Sequence, residues 1–151
     1  MDLSSFRQNF VSHYSGLYKM KPETHEPIYE TIKAIQTKTV SSDSVLVMAM
    51  ACQIYFFSER AMCGLYNEHG PGIYDRLNWR LRELRAIQAS PPAVVLVEND
   101  FFRDTIDNKV KTSYPELFDY LSTYYAPGNY TSGRWIILER KKTAPPQSPP
   151  H

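Results

Sequence analysis

Between Val45 and Phe57 every residue except Gln53 is apolar, and no other stretch limits so tightly what the chain can fold into. A helix that crosses a membrane needs about 20 apolar residues, so this run is too short to span one. It has to be buried in protein instead. Ser41, Ser42 and Asp43 stand before it as helix N-caps. They predict a third and longest helix from Ser44 to about Tyr66, apolar on nearly every face in its first half and therefore central to a bundle. Cys52 and Cys63 both fall in that helix, eleven positions apart. At about 1.5 Å per residue they stand roughly 16 Å from each other, beyond disulfide reach, and are expected to be unpaired.

Helical spacing recurs on either side. Leu3, Phe6, Phe10, Tyr14, Leu17 and Tyr18 predict an amphipathic first helix behind Ser4 and Ser5, broken by Lys21-Pro22. Pro27 suits the start of a second helix carrying Ile28, Ile32 and Ile35. After the breaker Gly70-Pro71-Gly72, the stripe Ile73, Leu77, Leu81, Leu84 and Ile87 predicts a fourth helix, stopped by Ser90-Pro91-Pro92. Ala93 to Val97 is a β-branched run of strand length with no polar face. Phe101, Phe102, Ile106 and Val110 predict a short helix, and Pro115 opens another with Leu117, Phe118, Leu121 and Tyr125. Ala126-Pro127-Gly128-Asn129 is turn chemistry, and Trp135 to Leu138 reads as a second strand. The expected fold class is thus α+β and helix-dominated: about four N-terminal helices followed by two strands with short helices between them. One globular domain, residues 1–142, is expected to end in a proline-rich tail, residues 143–151, holding Pro145, Pro146, Pro149 and Pro150.

Charge and metal-ligand spacing exclude several function classes. With 17 basic and 16 acidic residues the net charge is +1, so no overall field draws in a polyanion and nucleic acid is not favoured. His13, His25, His69 and His151 have no metal-ligand spacing, and no Cys-x-x-Cys accompanies them. The six glycines form neither a Walker loop nor a G-x-G-x-x-G turn, and no G-x-S-x-G elbow is present. No cofactor is therefore expected. Without a secretory leader pattern the setting is expected to be intracellular. Eleven tyrosines and seven phenylalanines favour contact with another protein chain, because a tyrosine ring joins large contact area to a polar tip.

Two patterns carry candidate chemistry. Glu98, Asp100, Asp104 and Asp107 follow the first strand, and the second strand runs into Glu139-Arg140-Lys141. An apolar strand leading to Glu-x-Lys, with Asp100 or Glu116 upstream, resembles the core of the PD-(D/E)xK metal-dependent nucleases. That resemblance implies acids holding Mg²⁺ and Lys141 assisting a nucleophilic water. The competing account, which is preferred, makes Glu116 a helix start and Glu139 a solvated strand end. Leu117 to Leu138 also resembles the late helix, turn and strand of Rossmann-type methyltransferases, although their alternating strands and glycine-rich cofactor loop are not read in the first half.

The second pattern is Arg76, Arg80, Arg82 and Arg85 around Trp79 on the fourth helix. At about 100° per residue Trp79, Arg82 and Arg85 point away from the leucine stripe, while Arg80 falls on the apolar side and requires an acidic partner. These four are the candidate binding residues, for phosphate, carboxylate or RNA bases, with Asp75 and Glu83 diluting the positive face. The expected function is a noncatalytic interaction or assembly subunit that meets another protein chain or a second copy of itself. The alternatives are a small Mg²⁺-dependent nuclease and an RNA-binding module.

Overall fold

The computed structural model describes residues 26–48, 51–66, 76–98, 109–131 and 134–142. The predicted first helix, the four histidines, Ile73, Asp75, Asp100, Asp104, Asp107 and the tail at 143–151 lie outside the described residues.

In chain order the elements are α1 (Glu26–Lys38), β1 (Ser44–Met48), α2 (Gln53–Ser58), β2 (Ala61–Met62), α3 (Leu77–Ala89), β3 (Val94–Glu98), α4 (Lys109–Ser113), α5 (Pro115–Tyr124), β4 (Tyr125–Thr131) and β5 (Trp135–Arg140). This corrects the expected class. The chain is not helix-dominated with four N-terminal helices; its centre is a five-stranded mixed sheet in the order β2-β1-β3-β5-β4. The predicted third helix is the largest departure, since its residues form β1, α2 and β2 in succession. A strand buried on both faces of a parallel sheet is as uniformly apolar as a central helix, so Val45 to Met48 satisfied both patterns. Glu59 then ends α2 in the left-handed region at φ 56°, where a side chain rarely continues a helix. Cys52 precedes α2 and Cys63 follows β2, and neither forms a disulfide.

The sheet alternation is complete across its middle. Leu46, Met48, Val95, Val97, Ile136 and Leu138 face a core with Ile87 of α3 and with Leu117, Tyr120 and Leu121 of α5. Val45, Val47, Val94, Leu96, Trp135 and Ile137 face the opposite core, with Ile32 and Ile35 of α1 and Ile54 and Tyr55 of α2. Side chains of period two thus feed two separate cores from each strand.

β1 pairs in parallel with both β2 and β3, and β5 runs antiparallel to both β3 and β4. From β1 the chain passes through α2 to β2 on one side, then through α3 to β3 on the other. Crossovers of a single hand that move in opposite directions must carry their helices on opposite faces. α2 and α3 obey this. Strands thus alternate with helices in the first half, where the sequence reading expected helices alone.

Two further corrections concern local faces. On α3 Ile87 of the predicted stripe is in the core and Leu84 packs against it, but Glu83 is buried beside them and Leu77, in the first turn, is 53% exposed. Residues 126–129, read as a turn, belong to β4, an edge strand whose pairing with β5 shifts register between Pro127 and Thr131. Proline is tolerated there because an edge strand needs no ladder donor on its open side.

Candidate functional site

In an open α/β sheet ligands gather beyond the carboxyl ends of the strands where the chain's direction of travel across the sheet reverses. Here that point lies between β1 and β3, at Met48 and Glu98. Between β1 and α2 the sequence Ala49-Met50-Ala51-Cys52 holds no glycine, so the chain offers there none of the glycines that let a backbone approach a pyrophosphate closely. Glu98 is joined to Arg134 at 3.0 Å, and the same guanidinium lies 4.6 Å from the Trp135 ring centre.

The nuclease set does not assemble from the described residues. Glu139 shares a face with Ile137 and forms an ion pair with Lys38 at the end of α1. Gly128 of β4 passes close beneath its carboxylate, and a Cβ there would collide with it. Glu116 lies on the other face, where its two oxygens meet the Arg80 guanidinium at 3.1 and 3.2 Å in a bidentate fork. Lys141 has a third role. Its backbone N–H donates to the Tyr124 carbonyl at 2.9 Å and its Nζ to the Ser122 carbonyl at 2.7 Å. The lysine therefore closes the carboxyl end of α5, where a cation opposes the helix dipole. Thus Glu116 and Glu139 stand on opposite sides of the sheet, and the amine expected to assist a water is spent on a helix end. Among the described residues no group of three or more His, Cys, Asp or Glu could hold a metal ion.

The arginine–tryptophan helix forms a more coherent feature. Trp79 stacks on Tyr66 with ring centres 6.5 Å apart and planes inclined by 28°, and Arg76 lies 5.9 Å from the Trp79 centroid, within cation–π range. Arg82 and Arg85 are exposed and take part in no ion pair among the described residues. Glu83, expected to dilute this charge, is buried instead. Its Oε2 accepts the Leu65 N–H at 2.6 Å and pins the 64–66 loop against α3. Gly64 turns in the left-handed region at φ 93°, directly against that carboxylate, a position where a Cβ would be strained twice over.

Of the large apolar side chains exposed among the described residues, Met62, Leu65, Leu77 and Trp79 belong to β2, the 64–66 loop and the first turn of α3; Val40 and Phe56 lie elsewhere. Sequence reasoning found Trp79 and the arginines but missed Met62, Leu65 and Tyr66, because it placed them inside a helix. Gly64, breaking the apolar pattern just after the charged pair Glu59-Arg60, was the available sign of a loop. Cys63 sits beneath this edge, where burial, with the Glu83 carboxylate as a smaller cause, pushes its thiol up to about 12.

A shallow groove of about 300 Å³ lies between α1 and β4, lined by Lys33, Thr37, Lys38, Asn129 and Tyr130. The Tyr130 hydroxyl is hydrogen-bonded to Thr31 Oγ1 at 3.0 Å and Lys38 is held by Glu139, so two of its polar groups are already engaged. No helix of the described residues is long and apolar enough to cross a membrane. Compared with protein-family models, curated proteins and solved structures, the chain matches none of them.

Proposed function

We propose that this chain is an interaction or assembly subunit and that it meets its partner, another protein chain, through the sheet edge formed by β2, the 64–66 loop and the start of α3. The observation that supports this is that four of the large apolar side chains exposed among the described residues, Met62, Leu65, Leu77 and Trp79, belong to these three segments. Each apolar Å² removed from solvent contributes about 25 cal/mol, so large apolar side chains left exposed are a reserve for association. Tyrosine, tryptophan and arginine together are the residues that dominate binding energy in protein contacts, and Tyr66, Trp79 and Arg76 are stacked into one unit here.

The test is to identify a partner by cross-linking in the native cells, purify it, and measure its affinity for the intact chain and for a Leu65→Ser, Leu77→Ser double variant. Both leucines are about half exposed, so the variant should melt close to the parent while binding at least about tenfold more weakly, the scale of losing one central contact. A partner that binds parent and variant equally uses another surface, and the proposal fails.

A further inference from the structure

We infer that the partner docks an acidic segment studded with apolar side chains onto the ridge Arg76, Trp79, Arg82 and Arg85, an inference that rests on the docking edge proposed above. Trp79, Arg82 and Arg85 are spaced three apart, so each neighbours the next while the row turns by about 60° per step around α3, and Arg76 stands at the helix N-cap. The ridge alternates two kinds of recognition. Trp79, stacked on Tyr66, offers an apolar platform, while Arg82 and Arg85 offer guanidinium forks whose planar geometry fits carboxylates. Burial of Glu83 leaves no acid on the exposed side of α3 to neutralise them.

Charge complementarity decides among the occupants. A second copy of this chain joined ridge to ridge would set arginine against arginine, because a twofold contact brings identical patches together. A nucleic acid supplies anions but no aliphatic groups for Met62, Leu65 and Leu77, and a net charge of +1 gives it little long-range attraction. An acidic protein segment with interspersed leucine, phenylalanine or proline satisfies both halves of the surface.

The chain itself provides the assay, since Trp79 and the buried Trp135 are its two tryptophans and only the first can respond directly at the ridge. The probes are a peptide of about 12 residues alternating Asp or Glu with Leu and Phe, its Asn/Gln counterpart, and an oligouridine of similar length; about 12 residues in extended form reach well past the ridge. The acidic peptide should quench or shift Trp79 emission and bind several-fold more weakly at about 200 mM than at about 50 mM salt. An Arg82→Glu, Arg85→Glu double variant should lose at least about tenfold in affinity without a change in far-ultraviolet circular dichroism. Failure of the acidic peptide to bind, equal binding by the neutral peptide, tighter binding by oligouridine, or indifference to the double reversal overturns the inference. Should the native partner be lost by Leu65→Ser, Leu77→Ser yet retained by the charge reversal, the acidic-segment inference falls while the docking edge stands.

Discussion

Beside β1, β2 contributes only Ala61 and Met62 to the ladder, so the Val47 N–H, one step further along, is met by the Tyr55 hydroxyl at 2.8 Å. A side chain thus takes the place of a missing strand residue, and α2 is fastened to the sheet it covers. Burial holds the Tyr55 phenol well above its ordinary range, with the bond from Val47 acting in the opposite direction. The phenol keeps its proton in the folded chain to higher pH than in the unfolded one. Its contribution to stability is therefore complete below about pH 10, the ordinary phenol value, and is lost as pH rises beyond it. Tyr55→Phe should cost about 1–3 kcal/mol by leaving a buried amide without this bond. It should also flatten part of the alkaline loss of stability, with Tyr125 retaining its share because its phenol is raised by burial too. Denaturant melts of parent and variant between about pH 8 and pH 11 measure both effects, and an unchanged stability at neutral pH would show that the hydroxyl is dispensable.

α3 and α5 are tied by the Arg80–Glu116 fork, whose side chains retain 20% and 26% of their exposure. An arginine this far from solvent buries its aliphatic stem along the α3–α5 contact as well as presenting its charge. Because Glu116 still reaches water, losing the guanidinium leaves it hydrated, and Arg80→Leu, which keeps the packing, should be tolerated better than Arg80→Ala by about 1 kcal/mol. Thermal melts in the reverse order would mean that the position requires charge rather than volume. The need for an acidic partner at Arg80 was legible from helical spacing alone, since the residue falls on the inner side of α3. β3 and β5 were legible for a similar reason, as short apolar runs with firm stops. β1 was not, because serine and aspartate before it look like caps and the apolar run continues unbroken into α2. β4 was hidden by Pro127-Gly128-Asn129, which mark a turn in a central strand but an irregular edge here.

At the scale of the whole molecule, two cores share one sheet, with α3 and α5 on one face and α1 and α2 on the other. β1, β3 and β5 each have a strand on both sides, whereas β2 and β4 lie at the edges. The proposed docking edge depends on this architecture and could not be read from the sequence: the loop that carries Leu65 is brought against α3 only because Glu83 accepts its backbone N–H. Separation of roles follows, since the central strands carry cooperativity while the edge can be reshaped by a partner at little cost to the cores. Hydrogen exchange read by mass spectrometry should show the peptides covering β3 and β5 opening only with global unfolding. Residues 61–66, paired over two positions and backed by a loop, should exchange orders of magnitude faster, on the order of 10²-fold or more. Bound partner should slow that segment and the first turns of α3 while leaving β4 unaffected. If residues 61–66 exchanged as slowly as β3 in the free chain, the edge would belong to the rigid core and would be a poor surface for docking.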